Sequence, residues 1–362
     1  MRIVFTTTLL AAALCISSRA DTEAVLRTDQ LPEAGKTLVW SPLFQASWDV
    51  LNSRRQGKLV KVAPANDLMT HLDSFSWKEA EVMPEGGYAV FAGPATAEFA
   101  NDVRNRVMKQ FKFAMAESEL PNSARGDAAF GVMIRDLNFK QNFYRSRKSP
   151  LDFKDNTGKV HKVAFFGTAG NHSSRFGNNV KVLSYEERGK SFILSIATDK
   201  DGERLIIYRP DRALSFDMAI EHVTEAIKAP LSGPTGSLSD GQLHQKDTLK
   251  IPHLNINSNT DFTDQLQGLR YYSGEPEPWF IAKACQITNF ELFEKGAKVR
   301  VQTQSQMDPF GGEPPKPKKI IYLPRQFICD QAFFVFTWKD KSPLPYFATW
   351  VDSGDVMEKF AK

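Results

Sequence analysis

Phe327-Ile328-Cys329-Asp330-Gln331-Ala332-Phe333-Phe334-Val335-Phe336 is the stretch whose reading decides the fold. It opens an almost unbroken apolar run over 327–338, which together with 346–351 reads as two very apolar strands closing the chain. Just upstream, residues 307–319 form a loop of proline, glycine and lysine. Residues 297–305 alternate strongly, and 285–293 read as a strand. Residues 249–257 are a further strand. Its alternation, Leu249 and Ile251 and then Leu254 and Ile256, shifts phase at Pro252-His253 as at a bulge or an edge. Asp261 is placed to cap a short helix carrying Phe262, Leu266 and Leu269.

Further upstream the elements change character. Ser41-Pro42 resembles an N-cap followed by proline at the first helical position. A longer helix is predicted over 95–117, with Phe99, Val103, Val107, Phe111 and Ala114 on one face. Residues 132–143 read as a strand leading into a loop. Residues 180–185, 192–197 and 204–208 read as three strands, with Asp199-Lys200-Asp201-Gly202 as turn chemistry between the last two. Residues 215–227 are helical, and 229–247 form a surface loop. Helices come mostly first and strands mostly last, with little βαβ alternation, which points to an α+β fold.

The 362 residues carry 42% hydrophobic and 24% charged side chains, values that exclude a disordered chain. Lys and Arg number 46 against 42 Asp and Glu, a net charge of +4, so no nucleic-acid partner is expected. Mean hydropathy is −0.35, and no long apolar run follows the N-terminus, which excludes a polytopic membrane protein. Residues 1–20 read as a secretory signal: Arg2, an apolar stretch from Ile3 to Ile16, and Ser18-Arg19-Ala20 ending in a small residue. Leu14 before Cys15 disfavours a lipoprotein. By length about two domains, or one large one, are allowed, and the remaining chain, 21–362, is expected to be secreted or periplasmic with no membrane contact once the signal is cleaved. An exported protein meets an oxidising compartment, so one disulfide between Cys285 and Cys329 is open, but two unpaired, largely buried thiols are the favoured reading.

Catalytic signatures are missing. The six histidines, at 71, 161, 172, 222, 244 and 253, show no helical ligand spacing, and no CxxC or GxSxG motif occurs. Gly189-Lys190-Ser191 lacks the first glycine of a phosphate loop, because Ser184 stands there. No metal, no cofactor and no enzyme activity are therefore expected.

The C-terminal third resembles the serpin family. Leu249–Ile256 followed by Asp261-Phe262-Thr263-Asp264-Gln265-Leu266 is similar to the segment "hhhPKFxIxxxxDLxxxLxxLG". Glu291-Leu292-Phe293-Glu294-Lys295-Gly296 resembles the strand end that enters the serpin reactive loop, and the 327–336 run resembles "FxxDHPFLFxI". Upstream, Ser41-Pro42, Phe139-Lys140 with Phe143, and Val182-Leu183-Ser184-Tyr185 with 192–197 match serpin motifs in order. Phe143 stands where the family has its breach tryptophan, Gln286 where it has a histidine, and Gln331-Ala332 where it has "HP". The resemblance implies a single domain over 21–362, expected to be a monomer, with three sheets surrounded by about eight or nine helices and an exposed reactive-centre loop over about 294–326. Shutter and breach positions fall at Ser41, Lys140, Phe143 and Gln286.

It also implies a function: inhibition of a serine or cysteine protease as a suicide substrate. Cleavage of the loop is followed by its insertion into the central sheet. The hinge would comprise Glu294, Gly296, Ala297, Val299, Val301 and Thr303. Alternation puts Ala297, Val299, Val301, Thr303 and Ser305 inward, and Lys298, Arg300, Gln302 and Gln304 outward. Family loop length places the scissile bond at Phe310-Gly311, suited to a chymotrypsin-like enzyme, while Lys318-Lys319 or Arg325 offer trypsin-like alternatives. The other reading is a non-inhibitory serpin-fold protein that binds a partner.

Overall fold

The structure is a computed structural model describing residues 22–54, 60–62, 67–115, 127–168, 173, 175–266, 270–272, 279–280, 284–299 and 323–361. The largest sheet has seven strands, ordered Thr22–Ala24, Thr37–Trp40, Phe347–Val351, Phe333–Lys339, Glu203–Arg209, Phe192–Ala197 and Val180–Tyr185. Apart from the parallel pair at the Thr22–Ala24 edge, its neighbours run antiparallel. Both faces of this sheet are covered. One face carries Val180, Leu194, Leu205, Ile207, Phe333 and Val335 into the main core. The other carries Ile206, Tyr208, Phe334, Phe336 and Trp350 against helix α5, Phe216–Lys228. Two buried faces explain why the closing strands are apolar at consecutive positions rather than alternating.

A four-stranded sheet lies across the main core, in the order Leu254–Asp261, Cys285–Phe293, Gly296–Val299 and Arg135–Asn138. It buries Leu137, Phe290, Leu292 and Ala297 in that core, and Phe290 stacks on Phe347 of the large sheet with ring centroids 4.7 Å apart. A third sheet, of four strands, is ordered Gln326–Ile328, Thr248–Pro252, Phe165–Gly167 and Tyr144–Arg145.

The described residues hold six α-helices: α1 (Leu43–Arg54), α2 (Asp67–Ser74), α3 (Glu79–Val82), α4 (Ala97–Phe111), α5 and α6 (Thr263–Leu266). That is fewer, among the described residues, than the eight or nine expected. Caps set the ends. Thr96 accepts from the Phe99 N–H to start α4, and Lys112, in the left-handed region at φ 55°, ends it. The helix predicted over 95–117 therefore stops at Phe111. Ser215 caps α5, and Asp261 Oδ1 accepts from the Thr263 N–H, as read from the sequence. Helix α4 packs Val103 and Val107 on Phe91, Phe130 and Val132 of the hairpin Tyr88–Pro94 and Asp127–Met133.

Two expected strands are each divided. The phase shift at Pro252-His253 is a change of sheet: Thr248–Pro252 belongs to the third sheet and Leu254–Asp261 to the four-stranded sheet in the core. The run over 327–338 is likewise two strands, Gln326–Ile328 and Phe333–Lys339, in different sheets. It breaks at Asp330 and Gln331, where Arg209 reaches the Gln331 Oε1 at 2.9 Å. Cys329 carries a free, fully buried thiol, which burial pushes up in pKa, whereas Cys285 is only half-buried, so the expectation of deep burial holds for Cys329 alone. Residues 1–20, expected to be a signal, and 300–322, expected to belong to the reactive loop, lie outside the described residues.

Candidate functional site

The strand Cys285–Phe293 alternates in burial along its length, with Gln286, Thr288, Phe290 and Leu292 buried. It turns at Glu294-Lys295 and returns as the strand Gly296–Val299, over which the hinge is expected and which is called the hinge strand below. That strand is flanked on both sides. Lys298 pairs with Glu291 and Ala297 with Leu292 on one side, and Ala297 with Leu137 and Val299 with Arg135 on the other. The hinge strand thus occupies an interior place in the sheet. Ala297 is 1% exposed and packs in the main core, while Lys298 is half-buried with its Nζ 5.2 Å from the centroid of the Phe293 ring. The inward–outward alternation read from the sequence holds for these two residues.

Glycine at 296 is required by a close approach. Its φ is +156°, and a Cβ there would lie 2.2 Å from the Leu137 carbonyl oxygen. The turn is held by main-chain bonds from the other flank: the Phe143 N–H donates to Glu294 O and the Phe139 N–H to Lys295 O, both at 2.8 Å. Phe143 itself is buried, stacked on Phe176 at 4.7 Å and edge-on to Phe139 at 5.1 Å. The structure therefore brings Phe143 and Glu294 together.

The other residues expected at shutter and breach positions lie elsewhere. Ser41 Oγ donates to Tyr346 O at 3.0 Å and accepts from the Leu43 N–H at the start of α1. Lys140 is exposed, with its Nζ 3.5 Å from Asp201. Gln286 is buried and donates to Thr288 Oγ1 at 3.3 Å, while its Oε1 has no hydrogen-bond partner. Among the described residues, Ser41, Lys140 and Gln286 do not bond to one another. Val301, Thr303, Phe310 and Gly311 lie outside the described residues, as does Lys318-Lys319.

Charged residues around Arg135, Asp136 and Arg325 shape the surroundings of this strand. Arg135 Nε donates to Glu203 Oε2 at 2.9 Å, and the Tyr346 OH donates to the same oxygen at 2.8 Å. This buried network ties the Arg135–Asn138 strand to the seven-stranded sheet, and burial holds the Tyr346 phenol well above its ordinary pKa. Asp136 faces Lys298 across the ladder. Burial raises its carboxyl above the usual carboxylate range, against the opposing pull of Lys298. Arg325, the trypsin-like alternative, is fully buried: its guanidinium pairs with Asp247 at 2.8 Å and donates to the carbonyls of Asp240 and Gln242. A side chain closed off in this way cannot enter a protease pocket, so Arg325 is an anchor and not a cleavage point. No group of three or more His, Cys, Asp or Glu able to hold a metal occurs among the described residues.

The fold is that of the serpins. The native-state structure of tengpin, a thermophilic serpin, aligns over 91% of this chain and 91% of its own, at a TM-score of 0.52 and 12% identity. Human thyroxine-binding globulin complexed with thyroxine aligns over 88% of this chain and 93% of its own, at a TM-score of 0.52 and 11% identity. No family model matches the chain, and no curated protein matches it in sequence.

Proposed function

We propose that the chain is a secreted protease inhibitor of serpin type, acting as one unit over 21–362 after loss of its signal. Its loop is offered as bait at Phe310-Gly311 to a chymotrypsin-like serine protease. The protease nucleophile attacks the Phe310 carbonyl, the bond to Gly311 breaks, and an acyl-enzyme forms. The freed strand then lengthens within the sheet and carries the acylated protease with it before water can complete hydrolysis.

The observation that carries this reading is the interior hinge strand, with Ala297 inward between Leu292 and Leu137. A strand already seeded in the sheet needs only to extend. Continued in the same register, Val301 would come opposite Thr288, and Thr303 opposite Gln286, whose buried Oε1 lacks a partner. A threonine hydroxyl there would satisfy it, which favours insertion because an unmade buried hydrogen bond costs about 1–3 kcal/mol.

The test is incubation with chymotrypsin followed by denaturing electrophoresis. A covalent complex of summed mass, and a higher melting temperature of the cleaved product, are expected. Clean cleavage without a complex would sink the inhibitory reading.

A second reading, a binding protein on the same fold, is favoured by Val299 and Val301. These are stiffer at χ1 than small hinge residues and suit a permanent strand. The thyroxine complex of a structural neighbour shows that this fold can carry a small ligand.

A further inference from the structure

His253 stands at the sheet change between Thr248–Pro252 and Leu254–Asp261 and is 4% exposed. Its main chain is fixed on both sides: its N–H donates to Ala164 O at 3.0 Å, and its carbonyl accepts from the Glu358 N–H at 3.1 Å. Its Nδ1 is 2.9 Å from Glu358 Oε2. A carboxylate only accepts, so in the neutral ring Nδ1 carries the hydrogen and Nε2 is bare. Nε2 lies 3.4 Å from Glu294 Oε2, and both atoms are buried without a hydrogen-bond partner. Two acceptors thus face each other across the turn that launches the hinge strand.

Among the described residues, the charged groups around the ring are Glu294 from the turn, Glu358 from the C-terminal segment and, through Glu358, Arg145 of the Tyr144–Arg145 strand. The side toward Phe165–Gly167 is apolar, with the Phe166 ring centroid 5.6 Å from that of His253. A proton on Nε2 would satisfy both orphaned atoms in a single charge-assisted bond.

We propose that His253 is a proton-operated latch on the hinge. When neutral it leaves Glu294 untied. When protonated it clamps the Glu294 carboxylate and holds the hinge strand in its place in the sheet. The sign follows from the geometry: only the charged form makes the new bond, so acidification favours the latched hinge. The use of the latch in protease trapping rests on the inhibitory reading. The latch itself is measured without protease, so failure of one is distinguishable from failure of the other.

The experiment is hydrogen exchange of the Ala297–Val299 amides in the intact protein at about pH 5.5 and about pH 7.5, corrected for intrinsic rates. The wild type should be protected about tenfold more at the lower pH, the size expected of one charge-assisted bond. His253→Gln should abolish the difference. Glu294→Gln carries an amide N–H that can donate to neutral Nε2, so it should show the higher protection at both pH values. A pH difference that survives in either variant, or is absent from the wild type, overturns the latch. Should His253→Gln fail to fold, Glu294→Gln decides alone.

Discussion

Gly296→Ala tests whether the hinge strand is docked where the structure places it. The new Cβ would lie 2.2 Å from Leu137 O, 2.8 Å from Asn138 Cα and 3.0 Å from Leu137 C. All three are backbone atoms, so no rotamer change relieves the clash. The first contact is more than about 1 Å inside ordinary van der Waals distance. Opening the gap by that amount carries the neighbouring N–H···O pairs beyond hydrogen-bonding range along a four-pair ladder. Each ladder bond contributes about 1 kcal/mol net, and burial of the Ala297 methyl about as much again. Ordering entropy regained by the released residues offsets part of this, at about 1 kcal/mol per residue. The hinge strand should therefore open more easily by about 2–3 kcal/mol, or about 30- to 150-fold. Exchange of the Ala297–Val299 and Leu137 amides, followed by mass spectrometry, reads this directly. Gly202→Ala is the control, since its φ is also positive but nothing lies within 4 Å of its Cβ position. Wild-type protection of the hinge in Gly296→Ala would refute the docked register.

Two further outcomes follow from buried charge. Arg325→Met should cost about 3–5 kcal/mol in urea melts, because it leaves Asp247 fully buried without its cation; a loss under about 1 kcal/mol would mean that the pair is solvated. Asp136→Asn should be at least as stable as the wild type at neutral pH. The folded-state pKa of Asp136 is raised, so its favourable contribution is present at low pH and lost as pH rises through that value. The stability difference between wild type and variant should thus shrink or reverse on acidification, and a difference constant from about pH 4 to 7 would refute the assignment.

What was legible in the sequence is what period-two burial writes into it. Cys285–Phe293 emerges with its predicted limits because one face is core and the other is not. The 327–338 run reads as one strand because both its faces are buried, and alternation then leaves no mark where the chain changes sheets. Phe143 and Glu294, which the resemblance assigned to the breach and to the hinge, are joined by a main-chain bond that constrains their positions more than their side chains. His253, Glu203 and Arg325 were not legible. Each is a polar residue whose burial depends on a partner distant in the chain, and nothing local distinguishes such a residue from a solvated one.

The two ties on the hinge turn differ in kind, and that difference bears on how the sheet is controlled. The bonds from Phe139 and Phe143 are main chain to main chain and are indifferent to proton activity. They hold the turn to the Arg135–Asn138 side, which the Arg135–Glu203–Tyr346 network in turn anchors to the seven-stranded sheet. His253 acts from the opposite side, at the junction leading into Leu254–Asp261, through a side chain whose bond depends on its charge. The flank next to Arg135–Asn138 is therefore constitutively fixed, and the flank next to Leu254–Asp261 is adjustable. If the sheet opens, the Leu254–Asp261 and Cys285–Phe293 pair should move as a block away from the anchored strand, because that pair shares an eight-residue ladder while the opposite flank is held through Arg135.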